Sequence, residues 1–355
     1  MSPPSDDVAS AESWFQCWGR RAITIPGYLI LAAFFLGGLP LWLTLAAAID
    51  LVKGSSRVFP RTRATSMFAV YFACEVVGIV GALALGAGTL GGRIGGSKRY
   101  LSANAALQRW WTSTLFLGSV RVFGMKIVLE GLEHAARGPM LLFVRHTSSA
   151  DTVLTAAMVT NPKRIVLRYV LKRELLLDPS IDLVGKRLPN AFLARTGERA
   201  HAEKRAIAGL ARGLDAASAV LIYPEGTRFD PVKRARAIAS LKERGHTDLA
   251  RLASELERVL PPKLGGALAL LDAAPDVDVV FIMHTGFEGA ATFAEFWGGG
   301  LVHKTIKVQL RRIAATTIPK EGRDAWLFEC WREVDLWVRA NQERLPYPPA
   351  KESLP

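Results

Sequence analysis

The sequence predicts a mixed α/β sheet flanked by helices, preceded by an N-terminal two-helix membrane hairpin. From residue 126 onward, short apolar segments with strand character alternate with helical patterns, as expected for a sheet covered on both faces. Upstream, two apolar segments are each long enough to cross a bilayer. We therefore assign the membrane hairpin to residues 1–98 and the α/β domain to residues 99–355.

The first apolar segment, residues 28–49, contains no charged residue, and the second, residues 67–90, is interrupted only by Glu75. Glycines in the second segment favour close helix packing within a membrane. Basic residues lie both between the two segments and after them, so the positive-inside rule does not decide the topology. Because residues 37–40 read Gly-Gly-Leu-Pro, a hairpin embedded in one leaflet is as strong an alternative as two spans.

The composition restricts the partners of the chain. Its 355 residues are half hydrophobic and carry a formal charge of +13 at pH 7. Such a surface attracts polyanions, either nucleic acid or an anionic membrane. The apolar segments favour the membrane, and no nucleic-acid-binding motif supports the alternative. Three widely spaced cysteines form no CxxC pair, so neither a disulfide framework nor a zinc site is predicted.

The α/β domain has six strand candidates and several helical patterns. The strands are predicted at residues 126–130, 140–144, 165–170, 191–194, 219–223 and 277–283, with a helix at about 151–160. Residues 324–345 are amphipathic with balanced charge, which indicates a helix packed on the domain rather than a second anchor.

A histidine follows the second predicted strand, in the sequence His-Thr-Ser-Ser-Ala-Asp at residues 146–151. A loop between a strand and a helix is a usual place for chemistry in α/β folds. Asp151 can accept a hydrogen bond from one imidazole nitrogen of His146, which leaves the other nitrogen as a base. The alternative is a polar loop in which Asp151 only caps a helix. None of the other five histidines has an aspartate at that spacing.

A second motif, Tyr-Pro-Glu-Gly-Thr-Arg at residues 223–228, follows another apolar strand. Gly226 permits a tight turn and a close approach to a ligand, and Thr227 and Arg228 are donors suited to phosphate oxygens. The alternative is a strand-to-helix turn with an internal ion pair between Glu225 and Arg228.

Together, the H-x4-D and Tyr-Pro-Glu-Gly-Thr-Arg motifs resemble those of the glycerolipid acyltransferase family, whose best-known members are 1-acylglycerol-3-phosphate acyltransferases. The resemblance covers roughly residues 120 to 315. A third block looks similar in Lys172-Arg173-Glu174-Leu175 and in Phe192-Leu193-Ala194-Arg195. It implies that Arg195 and Lys172 bind acceptor or donor phosphate, although without the family both would be basic residues beside a strand.

The chain departs from the family pattern at two places. In the fourth block, residues 279–284, Phe281 stands where proline is common, which leaves acyl-chain selectivity open. A basic helical insertion at about 230–262 is absent from most compact bacterial members. Its pattern fits equally a helix on the membrane surface and a solvated helix packed on the domain.

The resemblance implies an acyltransferase that acts on 1-acylglycerol-3-phosphate and forms phosphatidic acid in phospholipid biosynthesis. His146 and Asp151 are the implied catalytic residues, and Glu225, Gly226, Thr227 and Arg228 bind substrate. Acyl-CoA or acyl carrier protein is the implied acyl donor, with no metal and no cofactor. The implied location is a membrane, the inner membrane in a bacterium, with the active site facing the cytoplasm. Another lysolipid acceptor, or a non-catalytic lipid-binding protein of the same fold, is the alternative.

Overall fold

Four helices precede the sheet in the computed structural model, which describes residues 12–55, 58–194 and 200–342. They are α1 (Trp14–Gly37), α2 (Leu39–Val52), α3 (Pro60–Gly88) and α4 (Ser97–Phe123). In length and composition, α1 and α3 are candidate membrane spans, which is compatible with the predicted hairpin. The first apolar segment, expected as one helix, is divided at Gly38, because Pro40 begins a new helix there and has no backbone N–H to continue α1.

Among the described residues, seven strands form one mixed sheet in the order β1-β7-β6-β2-β5-β3-β4. Strands β2 to β6 run parallel to one another, and β7 is antiparallel to β6 and parallel to β1. The strands are β1 (Lys126–Glu130), β2 (Met140–Val144), β3 (Val166–Lys172), β4 (Ala191–Leu193), β5 (Ser218–Ile222), β6 (Val279–Thr285) and β7 (Thr305–Ile313).

In the described part of the chain, six further helices accompany the sheet: α5 (Ala200–Leu210), α6 (Pro231–Glu243), α7 (Thr247–Glu255), α8 (Leu264–Ala273), α9 (Phe293–Trp297) and α10 (Arg323–Asn341). The predicted mixed α/β sheet flanked by helices is confirmed, and each predicted strand is present within two residues of its expected bounds. The sequence did not predict α4 as a helix or β7 as a strand. The helix expected at about 151–160 is present but irregular, with a 3₁₀ turn at Ala150–Val153 and a π-helical turn at Ala156–Thr160. Its first turn is tight because Asp151 is hydrogen-bonded back to residues 147 and 148.

Strand β2 lies at the centre of the core. Met140, Leu142 and Val144 are fully buried in a cluster that includes residues of α4. Leu141 and Phe143 are fully buried on the other face, against residues of α5, α8 and α10. Burial on both faces explains why this strand is a continuous apolar run, and it fixes the position of the loop that follows.

Helix α3 lies along the α/β domain from end to end. At its start, Pro60 lies so close to Gly299 that a side chain at position 299 would come within 2.6 Å of the proline ring. Midway, Trp111 Nε1 of α4 donates to Glu75 at 2.9 Å. Near its end, the Arg187 guanidinium donates to the carbonyl of Ala82 at 2.7 Å.

Helix α1 is attached to the same domain by ion pairs. Arg20 and Arg21 contact the carboxylate of Asp182 at 2.7 and 2.8 Å, and the Asp182 side chain is fully buried. At its other end, Phe35 packs against Phe68 and Phe72 of α3.

Helices α6 and α7 occupy the basic insertion. Ile238 and Leu241 of α6 pack against Leu249 and Leu252 of α7 and against Phe328 of α10. The apolar stripe of α6 is therefore covered by protein, which supports the packed, solvated helix over the membrane-surface alternative.

Candidate active site

The two sequence motifs meet at the carboxyl edge of the parallel strands. Strand β2 pairs with β5 in parallel, with Phe143 opposite Ile222. His146 lies two residues beyond the end of β2, and Tyr223 is the first residue after β5. The two rings face each other with centroids 4.5 Å apart. The site therefore occupies the end of the sheet at which α/β folds bind ligands.

His146 and Asp151 form the expected pair. Nδ1 of His146 lies 2.9 Å from Oδ1 of Asp151. The other carboxylate oxygen accepts the backbone N–H groups of Thr147 and Ser148 at 2.6 and 2.9 Å. Because an ionised carboxylate only accepts hydrogen bonds, Nδ1 must carry the proton and Nε2 keeps its lone pair.

The charge state of Asp151 follows from opposing effects. The side chain is fully buried, which by itself raises the pKa of the carboxyl. The hydrogen bond and charge of His146, followed by the charge of His284 and the Ser148 N–H, outweigh burial and bring the pKa below its ordinary value. Asp151 is therefore a buried carboxylate that fixes the tautomer of His146.

A second histidine, His284 at the end of β6, was not predicted to belong to the site. Its Nε2 lies 2.8 Å from the carbonyl of Arg145 and 3.6 Å from Asp151 Oδ2. Burial lowers the pKa of His284, and the charge of Arg145 lowers it further against the opposing charge of Asp151. His284 thus lies against the Asp151 side of the pair. The only sequence signal for including His284 in the site was its position near the end of a predicted strand.

Glu225 is buried and connects the two motifs. Its Oε1 accepts the backbone N–H of His146 at 2.9 Å, and its Oε2 accepts that of Leu260 at 2.9 Å. Burial raises the pKa of Glu225 to about 7, although Arg145 and the two N–H groups partly oppose the rise. The ion pair with Arg228 considered from the sequence is therefore wrong for this structure, because both oxygens of Glu225 are directed at backbone. Glu225 is a positioning residue.

Arg145, directly before His146, is nearly inaccessible to solvent. Its guanidinium donates to Glu288 Oε1 at 2.7 Å and to the carbonyl of Arg258 at 3.2 Å. It also donates to the carbonyl of His284. These contacts hold the end of β2 against β6 and the segment before α8. The sequence did not single out Arg145.

The turn at Gly226, Thr227 and Arg228 carries positive charge. Gly226 has φ +65°, a left-handed conformation that favours glycine. An Arg228 nitrogen donates to the carbonyl of Ala291 at 2.8 Å. Nζ of Lys233 lies 3.3 Å from the hydroxyl of Thr227.

Lys263 completes this charged surface. Its ammonium group lies 3.0 Å from the point where a Cβ on Gly226 would stand, and its backbone N–H donates to the carbonyl of Pro224 at 2.8 Å. Lys263 is exposed. No local sequence pattern places Lys263 beside Gly226, because the helices of the insertion separate the two residues along the chain.

The remaining predicted phosphate ligands are Lys172 and Arg195. Lys172 is the last residue of β3, which pairs with β5, so it lies two strands from β2, or about 10 Å across the sheet. Arg195 lies outside the described residues.

The site combines a histidine base of fixed tautomer with an exposed cationic turn. Such a base can remove a proton from a hydroxyl, and such a turn can bind an anion. Within residues 12–55, 58–194 and 200–342, no cluster of three or more His, Cys, Asp or Glu side chains is placed to hold a metal ion.

Comparisons with known proteins agree with this geometry. Residues 126–282, which include both motifs, match the family model described as Acyltransferase. The chain is also similar to the crystal structure of the 1-acyl-sn-glycerophosphate (LPA) acyltransferase PlsC from Thermotoga maritima. The TM-score is 0.51 at 15% identity, and the match covers 80% of this chain and 100% of that one. This likeness concerns the fold. No curated protein gives a significant match to the sequence.

Proposed function

We propose, from the premise that the chain belongs to the acyltransferase family through residues 126–282, that it acylates a lysophospholipid at a membrane surface. The proposed acceptor is 1-acylglycerol-3-phosphate and the product phosphatidic acid. The proposed donor is a fatty-acyl thioester, carried by CoA or acyl carrier protein. The observation that carries the proposal is the His146–Asp151 contact of 2.9 Å at the same strand edge as the cationic turn of Arg228.

In the proposed reaction, Nε2 of His146 takes the proton from the free hydroxyl of the acceptor as its oxygen attacks the thioester carbonyl. The tetrahedral intermediate then collapses: the carbon–sulfur bond breaks, and the leaving thiolate takes the proton from Nε2. Asp151 stabilises the transient imidazolium and holds its orientation. The reaction therefore needs no covalent acyl-enzyme.

The proposed phosphate site is the turn at residues 226–228 together with Lys263. Arg228 offers a planar fork of donors, and Lys263 offers a compact charge on the same side of Gly226. A terminal phosphate monoester carries more charge than a diester and leaves more oxygens free for both cations. This chemistry favours lysophosphatidic acid over lysolipids whose phosphate is esterified, such as the choline ester.

We further propose that the anchor lies in one leaflet. Helix α3 has 29 residues and is about 43 Å long, against a hydrocarbon core of about 30 Å. A span across the bilayer would carry one end of α3 away from the α/β domain. Contacts to that domain at Pro60, Glu75 and Ala82 instead support a helix that stays on one side. We propose that this side is the cytoplasmic one.

The proposal is tested by an acyl-transfer assay on the purified full-length protein. Lysophosphatidic acid and its choline, ethanolamine and aminolipid counterparts are offered with acyl-CoA and, separately, with acyl carrier protein as donor. We expect transfer to lysophosphatidic acid that is lost in His146→Ala. Transfer only to a capped or amino acceptor would assign the site to another lysolipid. No transfer to any acceptor would favour the non-catalytic alternative.

A further inference from the structure

Helix α9 presents an unusually exposed aromatic side chain. Phe293 is 67% exposed, more than any other large hydrophobic side chain described between residues 126 and 342. Trp297, one helical turn later, stacks on it with ring planes only 15° apart. Aromatic side chains of this kind are favoured at the boundary between membrane and water.

The aromatic edge formed by Phe293 and Trp297 is continuous with the candidate membrane helices. Phe68 of α3 contacts Phe293 and Phe296 of α9, with ring centroids 6.3 and 5.9 Å apart. On its other side, Phe68 contacts Phe35 of α1 at 6.2 Å. Exposed apolar residues also lie on α1 and α2, among them Phe34 at 63% and Leu41 at 55%.

The inner side of α9 is fixed in place. Phe296 packs against Phe123 at the end of α4, and the capping box of Thr292 and Glu295 closes the first turn. Because Phe296 is held by the domain, Phe293 is kept exposed, with the half-buried Trp297 stacked against it.

The loop that carries α9 also contacts the active site at two points. Its Glu288 holds Arg145, the neighbour of His146, at 2.7 Å. The carbonyl of Ala291, two residues before Phe293, accepts the hydrogen bond of Arg228 at 2.8 Å. The segment that exposes the aromatic edge therefore also contacts Arg228, the arginine of the proposed phosphate site.

We propose that α9 is a second membrane contact, formed by the catalytic domain itself, and that the acceptor lipid passes from the bilayer to His146 beside it. Phe293 and Trp297 enter the lipid surface, which places Arg228 at the level of the lipid phosphates. The lysolipid then moves its head toward His146 while its acyl chain remains along the aromatic edge. The membrane contact stands on the exposed apolar surface alone, and the acceptor path rests on the proposed function.

The membrane contact is tested by tryptophan fluorescence of the full-length protein, in vesicles of phosphatidylglycerol and phosphatidylethanolamine with and without brominated acyl chains. Because other tryptophans lie in the anchor, the contribution of Trp297 is obtained by subtracting the fluorescence of Trp297→Phe from that of wild type. We expect brominated lipid to quench the Trp297 contribution. Trp326 lies on the opposite face of the sheet, and Trp326→Phe is the matched control. In this variant, the amount of fluorescence quenched by brominated lipid should equal that of wild type. An unquenched Trp297 contribution overturns the proposal, whether or not the protein transfers acyl groups.

The acceptor path is tested by the double variant Phe293→Ser/Trp297→Ser. Transfer to long-chain lysophosphatidic acid in vesicles should fall about tenfold or more, because two apolar side chains no longer enter the lipid. Transfer to a short-chain, water-soluble lysophosphatidic acid should stay within about twofold of wild type. Leu336→Ser, which alters an exposed apolar residue of α10 (51% exposed), should change neither rate. Equal losses on both acceptors, or no loss on vesicles, would overturn the path.

Discussion

Glu225 and His146, 79 residues apart, are joined by a hydrogen bond from the His146 backbone N–H to Oε1 of Glu225, at 2.9 Å. The second oxygen accepts the N–H of Leu260. One buried carboxyl therefore aligns the loop of His146 with the segment that leads to Lys263. Its protonation state gives a prediction about stability.

Glu225→Gln should change how thermal stability depends on pH. The folded pKa of Glu225 is raised to about 7 from its ordinary 4.5. Between these values the folded state retains a proton that the unfolded state has lost, so this group's contribution to stability falls as pH rises. We expect the melting temperature of wild type minus that of Glu225→Gln to be smaller at pH 8 than at pH 5.

The matched control is Glu288→Gln. Arg145 holds the pKa of Glu288 below its ordinary value, against the opposing effect of burial. Its contribution to stability is lost only as pH falls through the acid range, so the difference from wild type should be flat between pH 5 and 8. If the melting temperature of wild type minus that of Glu225→Gln instead increased from pH 5 to pH 8, the raised pKa assigned to Glu225 would be contradicted.

Asp151→Asn should reduce kcat by about 10²–10⁴. The amide oxygen can still accept the N–H groups of Thr147 and Ser148, but the amide nitrogen would then donate to Nδ1. The proton of His146 moves to Nε2, and the base is lost. Initial rates are measured on protein that is shown to be folded.

The control for this variant is Asp278→Asn. Asp278 accepts the N–H of Ala315 and pairs with Arg312 at the opposite end of the sheet. Its replacement should affect stability but leave the rate per folded molecule within about twofold. A fully active Asp151→Asn or His146→Ala enzyme would refute the proposed base.

Arg228→Lys should raise the KM for lysophosphatidic acid and weaken its preference over the choline ester. Lysine keeps the charge but loses the fork, and it cannot reproduce the hydrogen bond to Ala291 while contacting phosphate. The measurement is kcat/KM for both acceptors, with Arg251→Lys on the exposed face of α7 as control. An unchanged preference would remove Arg228 from the acceptor site.

Lys263→Ala should raise the KM for the acceptor about tenfold or more, whereas Lys263→Arg should restore part of the loss. The ammonium group lies directly beside Gly226, where a phosphate would rest, and a charge-assisted contact contributes roughly 1.5–3 kcal/mol. Lys242→Ala removes an exposed charge from α6 and should leave the KM unchanged. Equal effects of Lys263→Ala and Lys242→Ala would indicate only a long-range effect of net charge.

The protein should stay with membranes after a high-salt wash, because salt screens charge but does not weaken apolar contacts.

A one-leaflet anchor also places the loop between α2 and α3 on the same side as the α/β domain. In a Cys17→Ser background, Lys53→Cys should react with an impermeant maleimide only in vesicles that expose the active site. Reaction from the opposite side would establish two spans, and release by salt would exclude the anchor.

The sequence by itself determined the features that depend on neighbours along the chain. Strand β2 was predicted at its observed bounds because it is buried on both faces and is therefore apolar throughout. The His146–Asp151 contact was predictable because five residues are enough for the carboxylate to fold back onto its own loop. Strand β7 was not predicted, although its buried residues alternate with polar ones as in a half-exposed strand. Its charged end resembles a surface segment.

Only the tertiary structure decided the contacts between distant segments. The parallel pairing of β2 with β5 brings Glu225 to the backbone of His146, and the pairing of β2 with β6 adds His284. The return of the chain after α7 sets Lys263 over Gly226, and the loop after β6 brings Ala291 to Arg228. These partners follow from strand order and register, which arise from the packing of the whole sheet. No local pattern in the sequence specifies which strand ends will become neighbours.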